Sequence, residues 1–411
     1  MFSVLRSRDF RLLWLGQSAS VIGDGLVIVA IGLFVTRLTG DPRDVGVVLA
    51  AYVLPLVLFL LVGGVIADRL PRQAVMVTTD VIRAGLHGTL ALLIALGTVQ
   101  IWHMVVIGLL FGTSQAFFQP AYTGLVPQTV PEDEIQSAQA LNGVSRELAS
   151  FVSPAIATAL VLTVGGAEAF ALDAATFVIS ALTLSRVQAR PRGKPPVRST
   201  MLVELREGWT AVRERSWVWA TITAFSTALL VALAPFFVLG PSVSQDVYGT
   251  EAVFGITNAC WGAGTIVGAM FGSRWRPRRP MLAGLLFSIV WPGQIALFAA
   301  GPSTVLLYPV TAAAGLGLGL FGVWWETALA QRIPAHLLSR VSAWDWMGSL
   351  ALLPVGYLLA GPAAAALGAP EVLIGGGLIG TAAMTLALIP RPIRTLTRLE
   401  EPDARVDALR L

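Results

Sequence analysis

Apolar runs of about 20 residues or more recur along the whole chain, and this repetition limits what it can fold into more than any motif does. A hydrocarbon core of roughly 30 Å is crossed by about 20 residues of helix rising about 1.5 Å each. Twelve such crossings with short loops use most of the 411 residues. The composition, 55% hydrophobic and 13% charged, suits lipid rather than water as the surrounding solvent. The ten-residue alternation of an outer-membrane barrel is absent, so the spans are read as helices. We place them at approximately 12–36, 45–67, 74–96, 103–126, 137–163, 168–186, 217–240, 251–272, 281–300, 304–328, 341–361 and 370–390. Arg6, Arg8 and Arg11 precede the first run as they would a signal peptide, but Gln17 and Asp24 lie inside it, and it is kept as a span.

Basic residues fix the expected orientation. Alternate segments, starting from the amino terminus, hold 24 of the 28 Lys and Arg residues, whereas the opposite loops hold only Arg37 and Arg43. Both termini are therefore expected in the cytoplasm, with the chain passing repeatedly through the membrane. The longest polar stretch contains Arg190-Pro-Arg-Gly-Lys-Pro-Pro196 and then an amphipathic pattern from Met201 to Val212, with Leu202, Leu205, Trp209 and Val212 on one face. It reads as a linker with a helix lying on the inner leaflet. The two sides of this linker echo each other. Gln128-Thr-Val-Pro131 recurs as Gln331-Arg-Ile-Pro334, an offset of 203 residues, and Ala67-Asp68-Arg69 is matched by Gly272-Ser273-Arg274. Such spacing indicates duplication of a six-span unit. The expected division is an N-terminal half 1–186, a linker 187–216, a C-terminal half 217–390 and a cytoplasmic tail 391–411.

Several chemistries are excluded. The single cysteine, Cys260, allows neither a disulfide framework nor a thiolate metal site, and His87, His103 and His336 form no metalloprotease motif. The only lysine, Lys194, precedes Pro195 and lacks the glycine spacing of a phosphate-binding loop, so the chain cannot drive itself with ATP. No enzymatic activity, cofactor, metal or nucleic-acid partner is expected, and a monomer is.

Ionisable groups inside spans cost several kcal/mol unless paired or hydrated, so each one points to a task. Asp24 lies near the middle of the first span, with Gln17 and Ser20 on the same helical face. It is the leading proton carrier, since a desolvated carboxylate can bind and release a proton. Arg146 in the fifth span is the expected counter-ion for Asp24 or for the adjacent Glu147, and Glu326 in the tenth offers a second protonatable group. Asp80 and Arg83, three apart, can pair locally, while Asp173 is expected to reach water from the external side. Gln115, Phe118, Gln119 and Tyr122 recur at i, i+3, i+4 and i+7, which places amides and aromatic rings on one stripe of the fourth span. Gly264, Gly268 and Gly272 mark a helix-packing face.

The segment Gly64-Val-Ile-Ala-Asp68-Arg69-Leu-Pro-Arg72 closely resembles the loop between the second and third spans of major facilitator transporters, with Pro71 where a glycine is usual and Gln73 where a basic residue is common. The resemblance covers the full chain. Phe10-Arg-Leu-Leu-Trp-Leu-Gly-Gln17 through Gly23-Asp24, and Trp325-Glu326 with Arg340-Val-Ser-Ala-Trp-Asp345, are similar to the drug- and siderophore-efflux branch common in actinobacteria. One departure is Ser153-Pro154-Ala-Ile-Ala157, where antiporters of the family often carry a Gly-Pro pair with flanking glycines. The resemblance implies an all-α membrane protein of the major facilitator fold, twelve transmembrane helices in two six-helix pseudo-repeats. It further implies a gating loop of Gly64, Asp68, Arg69 and Arg72 latched to the eleventh span near Asp345. In this family the first, fourth, seventh and tenth spans line the pathway. Gln17, Gln115, Phe118, Gln119, Tyr122, Phe321, Trp324 and Trp325 are thus the expected substrate contacts, with Asp24, Glu326 and Arg146 coupling protons. The expected function is secondary active transport, proton-coupled efflux of amphiphilic small molecules by alternating access. A proton symporter or uniporter of a small metabolite, or a membrane sensor or scaffold that transports nothing, is the alternative.

Overall fold

A computed structural model describes residues 2–131, 134–188 and 201–398. Six long helices come first, α1 (Arg8–Thr39), α2 (Pro42–Arg69), α3 (Arg72–Ala95), α4 (Ile101–Leu125), α5 (Ile135–Thr163) and α6 (Gly166–Leu184). A shorter helix, α7 (Met201–Arg213), precedes a second run of spans. The seventh span consists of α8 (Ser216–Ala228) and α9 (Ala234–Tyr248), joined by a π turn at Leu229–Leu233. The eighth is α10 (Ala252–Arg274), and the ninth is divided into α11 (Pro280–Ser288) and α12 (Val290–Ala299). The tenth is α13 (Thr304–Arg332), the eleventh combines α14 (Ala335–Leu350) with α15 (Leu353–Leu367), and the twelfth is α16 (Ala369–Leu386), followed by a short α17 (Arg391–Thr395). No strand occurs among the described residues. Eleven of their segments are long and apolar enough to cross a membrane. The exception, α5, keeps an apolar stretch only at Val152–Thr163, because its first half carries Asn142, Ser145 and Arg146; a twelve-helix membrane fold is consistent with this.

Proline accounts for the interruptions. Pro292 has no N–H for the Ser288 carbonyl, and the ninth span breaks at Ile289. In the same way Pro354 leaves the Leu350 carbonyl without its helical partner at the break in the eleventh. Pro235 does so for Val231, inside the π turn of the seventh. There the Leu230 and Val231 carbonyls are covered by Gly356 of α15 and Gly376 of α16, positions where any side chain would overlap them.

Close helix approach follows the glycines. The expected packing face is real and reciprocal: Gly264 and Gly268 of α10 lie on the Ala312 and Leu316 carbonyls of α13, and Gly315 and Gly319 of α13 lie on those of Trp261 and Thr265. The second and fourth spans repeat the device, with Gly63 on the Ala116 carbonyl and Gly112 on that of Tyr52. Gly112 and Gly315 are 203 residues apart, the same offset as the sequence repeat.

The first six spans meet the last six through α2 against α15 and α9, α5 against α10, and α1 against α9. The tightest of these approaches lie at the ends distant from the termini. Gly46 abuts the Tyr357 carbonyl, Gly361 abuts the Arg43 backbone, Gly255 abuts Thr158, and Arg37 pairs with Glu251 at 2.7 Å. The two sets are therefore closely packed at those ends. On the face bearing the termini α7 is clamped to α14, where Arg340 pairs with Glu207, and Trp209 meets Trp344 with ring centroids 4.9 Å apart. Val212 is buried in this contact region; the side chains of Leu202 and Leu205 lie outside the described residues.

Candidate functional site

A cavity of about 170 Å³ opens among α1, α4 and α5. From α1 it takes Gln17, Ser18, Val21 and Asp24, which a 3.6-residue repeat stacks on one side. The fourth span contributes its polar and aromatic stripe entire, Gln115, Phe118, Gln119 and Tyr122, with the Phe118 and Tyr122 rings stacked at 6.3 Å. Asn142, Ser145 and Arg146 close it from α5. Trp14 donates to Ser145 at 2.8 Å and Ser18 to the same hydroxyl at 3.2 Å, which holds α1 against α5. Gln17 donates to Ser180 of α6 at 3.2 Å, leaving its amide oxygen for the cavity.

Asp24 is the cavity's carboxylate. Its side chain is 27% exposed, its Oδ2 lies 3.9 Å from Arg83 of α3, and its Oδ1 has no hydrogen-bond partner. Among the described residues the guanidinium that approaches Asp24 is thus Arg83 rather than Arg146, which lines the same cavity but is exposed; the Glu147 side chain lies outside the described residues. Arg83 itself is fully enclosed. One arm binds Asp80, another donates to Gln115 of α4, and its plane lies between the rings of Phe118 and Phe177 at 4.2 and 4.3 Å. The local Asp80–Arg83 pair is therefore present, but it is also the hinge pin between α3 and the cavity wall.

Asp173 does not reach water. It is wholly buried on α6, and its Oδ2 bonds Nδ1 of His87, also wholly buried. In the sequence His87 stands out only as one of three scattered histidines. A signal is nonetheless present, since Asp80, Arg83 and His87 fall at i, i+3 and i+7 on one stripe of the third span.

The tenth span places its aromatic residues differently. Phe321 stacks on Phe225 of α8 at 4.6 Å, and Trp325 stacks on Phe321 at 5.9 Å while donating to Asp345 at 2.8 Å. Trp324 turns away from both, buried, with its indole donating to the Gly272 and Trp275 carbonyls at the end of α10. Phe321 and Trp325 thus belong to one aromatic cluster and Trp324 to another with Trp275 and Phe287, and none of the three lines the cavity around Asp24. Glu326 is exposed. In the gating loop Arg69 is exposed, and Arg72 donates to the Gly124 carbonyl in the last turn of α4. Gly64 and the Asp68 side chain lie outside the described residues. Gln73 donates to the Leu184 and Val187 carbonyls at 2.7 Å each, satisfying the end of α6.

A helical membrane bundle in two clasped sets, with a charged cavity between three helices, is the build of a membrane carrier rather than of an enzyme. The chain belongs to the family described as transmembrane secretion effectors, a branch of the major facilitator superfamily, whose family model it matches over residues 1–405. Among relatives, it is 25% identical over 400 residues to macrolide efflux protein A of Streptococcus pyogenes, covering 95% of this chain and 97% of that protein. It is 27% identical over 363 residues to the multidrug efflux pump Tap of Mycolicibacterium fortuitum, covering 84% and 87%. Among solved structures, a point mutant of the nucleoside transporter NupG superposes with a TM-score of 0.71 at 14% identity, covering 92% of this chain and 97% of that one. A bacterial homologue of the human lysosomal transporter Spinster, in an inward-facing conformation, reaches 0.71 at 15%, covering 95% and 96%. Those two show the fold. The chain is a multi-pass membrane transporter with drug-efflux relatives.

Proposed function

We propose that the chain exports bulky, partly apolar small molecules, macrolide-like in size and amphiphilicity, in exchange for protons. In this reading it sits as a monomer in the bacterial cell membrane with both termini cytoplasmic, and halves 1–186 and 217–390 rock about the cavity, joined by the linker 187–216 and followed by the tail 391–411. The closely packed ends of the two sets then face the outside. The observation that carries the proposal is Asp24, a carboxylate with one unpaired oxygen that faces a cavity walled by amides and stacked aromatic rings. Ionised, Asp24 holds Arg83 or a cationic group of the substrate; protonated, it releases either. Substrate and proton thus compete for one carboxylate, which is sufficient for exchange. Phe118 and Tyr122 supply apolar contact, and Gln17, Gln115 and Gln119 polar contact. Phe321 and Trp325 form an aromatic wall in the other half. Glu326 serves as an accessory acid at the cytoplasmic mouth, Arg146 sets a cation on the wall of the Asp24 cavity and so favours the ionised form of that carboxylate, and Gly64, Asp68, Arg69 and Arg72 with Asp345 latch the mouth when it closes.

One charge crossing about 100 mV supplies roughly 2.3 kcal/mol, close to fiftyfold accumulation, so a single proton per substrate is enough. The test is reconstitution of the purified chain in proteoliposomes with an imposed pH gradient and labelled erythromycin. Gradient-driven accumulation is expected in the parent and its loss in Asp24→Asn. An Asp24→Asn variant that accumulates the macrolide as the parent does would refute the assignment.

A further inference from the structure

Beyond the cavity lies a second group of buried ionisable side chains that the scheme above leaves without a task. Nδ1 of His87 bonds Asp173, and Nε2 of His87 lies 3.1 Å from the hydroxyl of Tyr52. The ring stacks on Phe111 of α4 with centroids 4.3 Å apart and planes 4° from parallel, so the imidazole cannot tip away from either partner. Both partners suit two protonation states. When the imidazole is neutral, Nδ1 donates to the carboxylate, which only accepts, and Nε2 accepts from Tyr52. When it is charged, Nε2 donates instead, and the Tyr52 hydroxyl becomes the acceptor by rotating its hydrogen. A proton can be taken up or given away with no heavy atom moved.

Negative groups outnumber positive ones around the triad. Among the described residues the titratable and charged groups facing it are Asp24 on α1, and Asp80 and Arg83 on α3, beside Tyr52 on α2; α4 presents the Phe111 ring. Asp80 and Asp24 share the Arg83 guanidinium and Asp173 is held by His87, and of these side chains all but Asp24 are fully enclosed. Uncompensated charge there is costly. The triad also touches the cavity carboxylate's own helix. Oδ1 of Asp173, which has no hydrogen-bond partner, rests on Gly23, the residue before Asp24, where any side chain would overlap it.

We propose that His87, Asp173 and Tyr52 form a second proton-holding site, which takes up a proton from outside when the end distant from the termini opens and passes it to Asp24 across α1, so that Asp24 becomes protonated while substrate still fills the cavity. This rests on the proton-coupled reading above. It separates the proton's route from the substrate's, so that the carboxylate need not see bulk water through an occupied cavity.

Two measurements test it on the full-length chain. The first is nitrogen-15 NMR of histidine-labelled protein in lipid, in which three imidazoles are resolved and His103→Gln and His336→Gln assign the remaining one. Both the neutral and the charged imidazole of His87 are expected to be seen, with Tyr52→Phe altering their proportion. An imidazole that keeps one charge state throughout overturns the proposal, whatever the transport data say. The second is gradient-driven erythromycin accumulation in vesicles for His87→Phe, which retains the stack on Phe111, and for Tyr52→Phe, a milder change that keeps the fold if the first does not. Accumulation is expected to fall by up to about fiftyfold, the worth of one proton at about 100 mV, while energy-independent counterflow persists. If the parent and both variants accumulate equally and only Asp24→Asn fails, the second site is overturned and the Asp24 reading stands. If the parent ignores the gradient, proton coupling itself is wrong and this proposal falls with it.

Discussion

Arg83 does not face into the cavity, yet it touches three residues that line it, Asp24, Gln115 and Phe118. Its guanidinium binds Asp80, donates to Gln115, approaches Asp24 and lies between two rings. Lysine cannot reproduce a planar fork stacked on aromatic faces. Arg83→Lys is therefore expected to lose transport nearly as fully as Arg83→Gln. The Gln variant leaves buried Asp80 unpaired at a cost of about 3–5 kcal/mol, read as a lowered melting temperature in detergent. Lysine that restores transport would disprove the fork's role. Phe118→Ala removes one ring from under that guanidinium and one wall of the cavity; a rise in the apparent Km for the macrolide of roughly tenfold is expected in vesicle uptake. The cavity's own lining is legible in sequence because each stripe belongs to one helix, and a single helix declares its faces by period. Pairings between helices are not. Nothing in the period of the third span says that Arg83 meets Asp24, or that His87 meets Asp173, and sequence alone therefore sends Asp173 to water. Trp324, one position from Trp325, points to α10 because adjacent helical residues are about 100° apart.

At the level of helices, lipid leaves the backbone no partner but itself, which is why the spans can be placed from hydropathy alone. The breaks in the ninth and eleventh spans leave no mark in that pattern, since the apolar run continues through Pro292 and Pro354 although the hydrogen-bond ladder does not. The reciprocal glycine contacts of α10 and α13 give a sharper expectation. Gly315→Leu or Gly264→Leu drives a side chain into a carbonyl of the opposite helix, and a loss of about 1–3 kcal/mol is expected, seen as a lower melting temperature and a broadened size-exclusion peak. Gly322, on the same helix but with nothing near it, should accept Ala without effect. Equal behaviour of the two positions would contradict the packing. The linker helix α7 is legible as amphipathic, but its companion is not: it rests on α14 through Glu207 and Trp209, and sequence alone suggests only lipid.

Across the whole molecule, the two sets of six spans are drawn together at the ends distant from the termini. The Arg37–Glu251 pair is partly exposed and adds at most about 1 kcal/mol. Gly46 against Tyr357 is the tighter stop. Gly46→Leu is expected to wedge α2 from α15 and shift the population towards opening at that end. In a Cys260→Ser background, cross-linking of Arg37→Cys to Glu251→Cys by a short bifunctional reagent should fall severalfold on adding the Gly46 change. Undiminished cross-linking would mean that this contact does not hold the end shut.

The π turn of the seventh span adds one more consequence. A helix that bends normally exposes carbonyls to hydrocarbon, and each bared oxygen resists the bend. Here Gly356 and Gly376 already sit over the Leu230 and Val231 oxygens, so the crease is made and sheltered before any motion begins. The π turn between α8 and α9 is thus settled into the span with its two oxygens already roofed by neighbouring helices, as a fold pressed into card needs no hand to hold it.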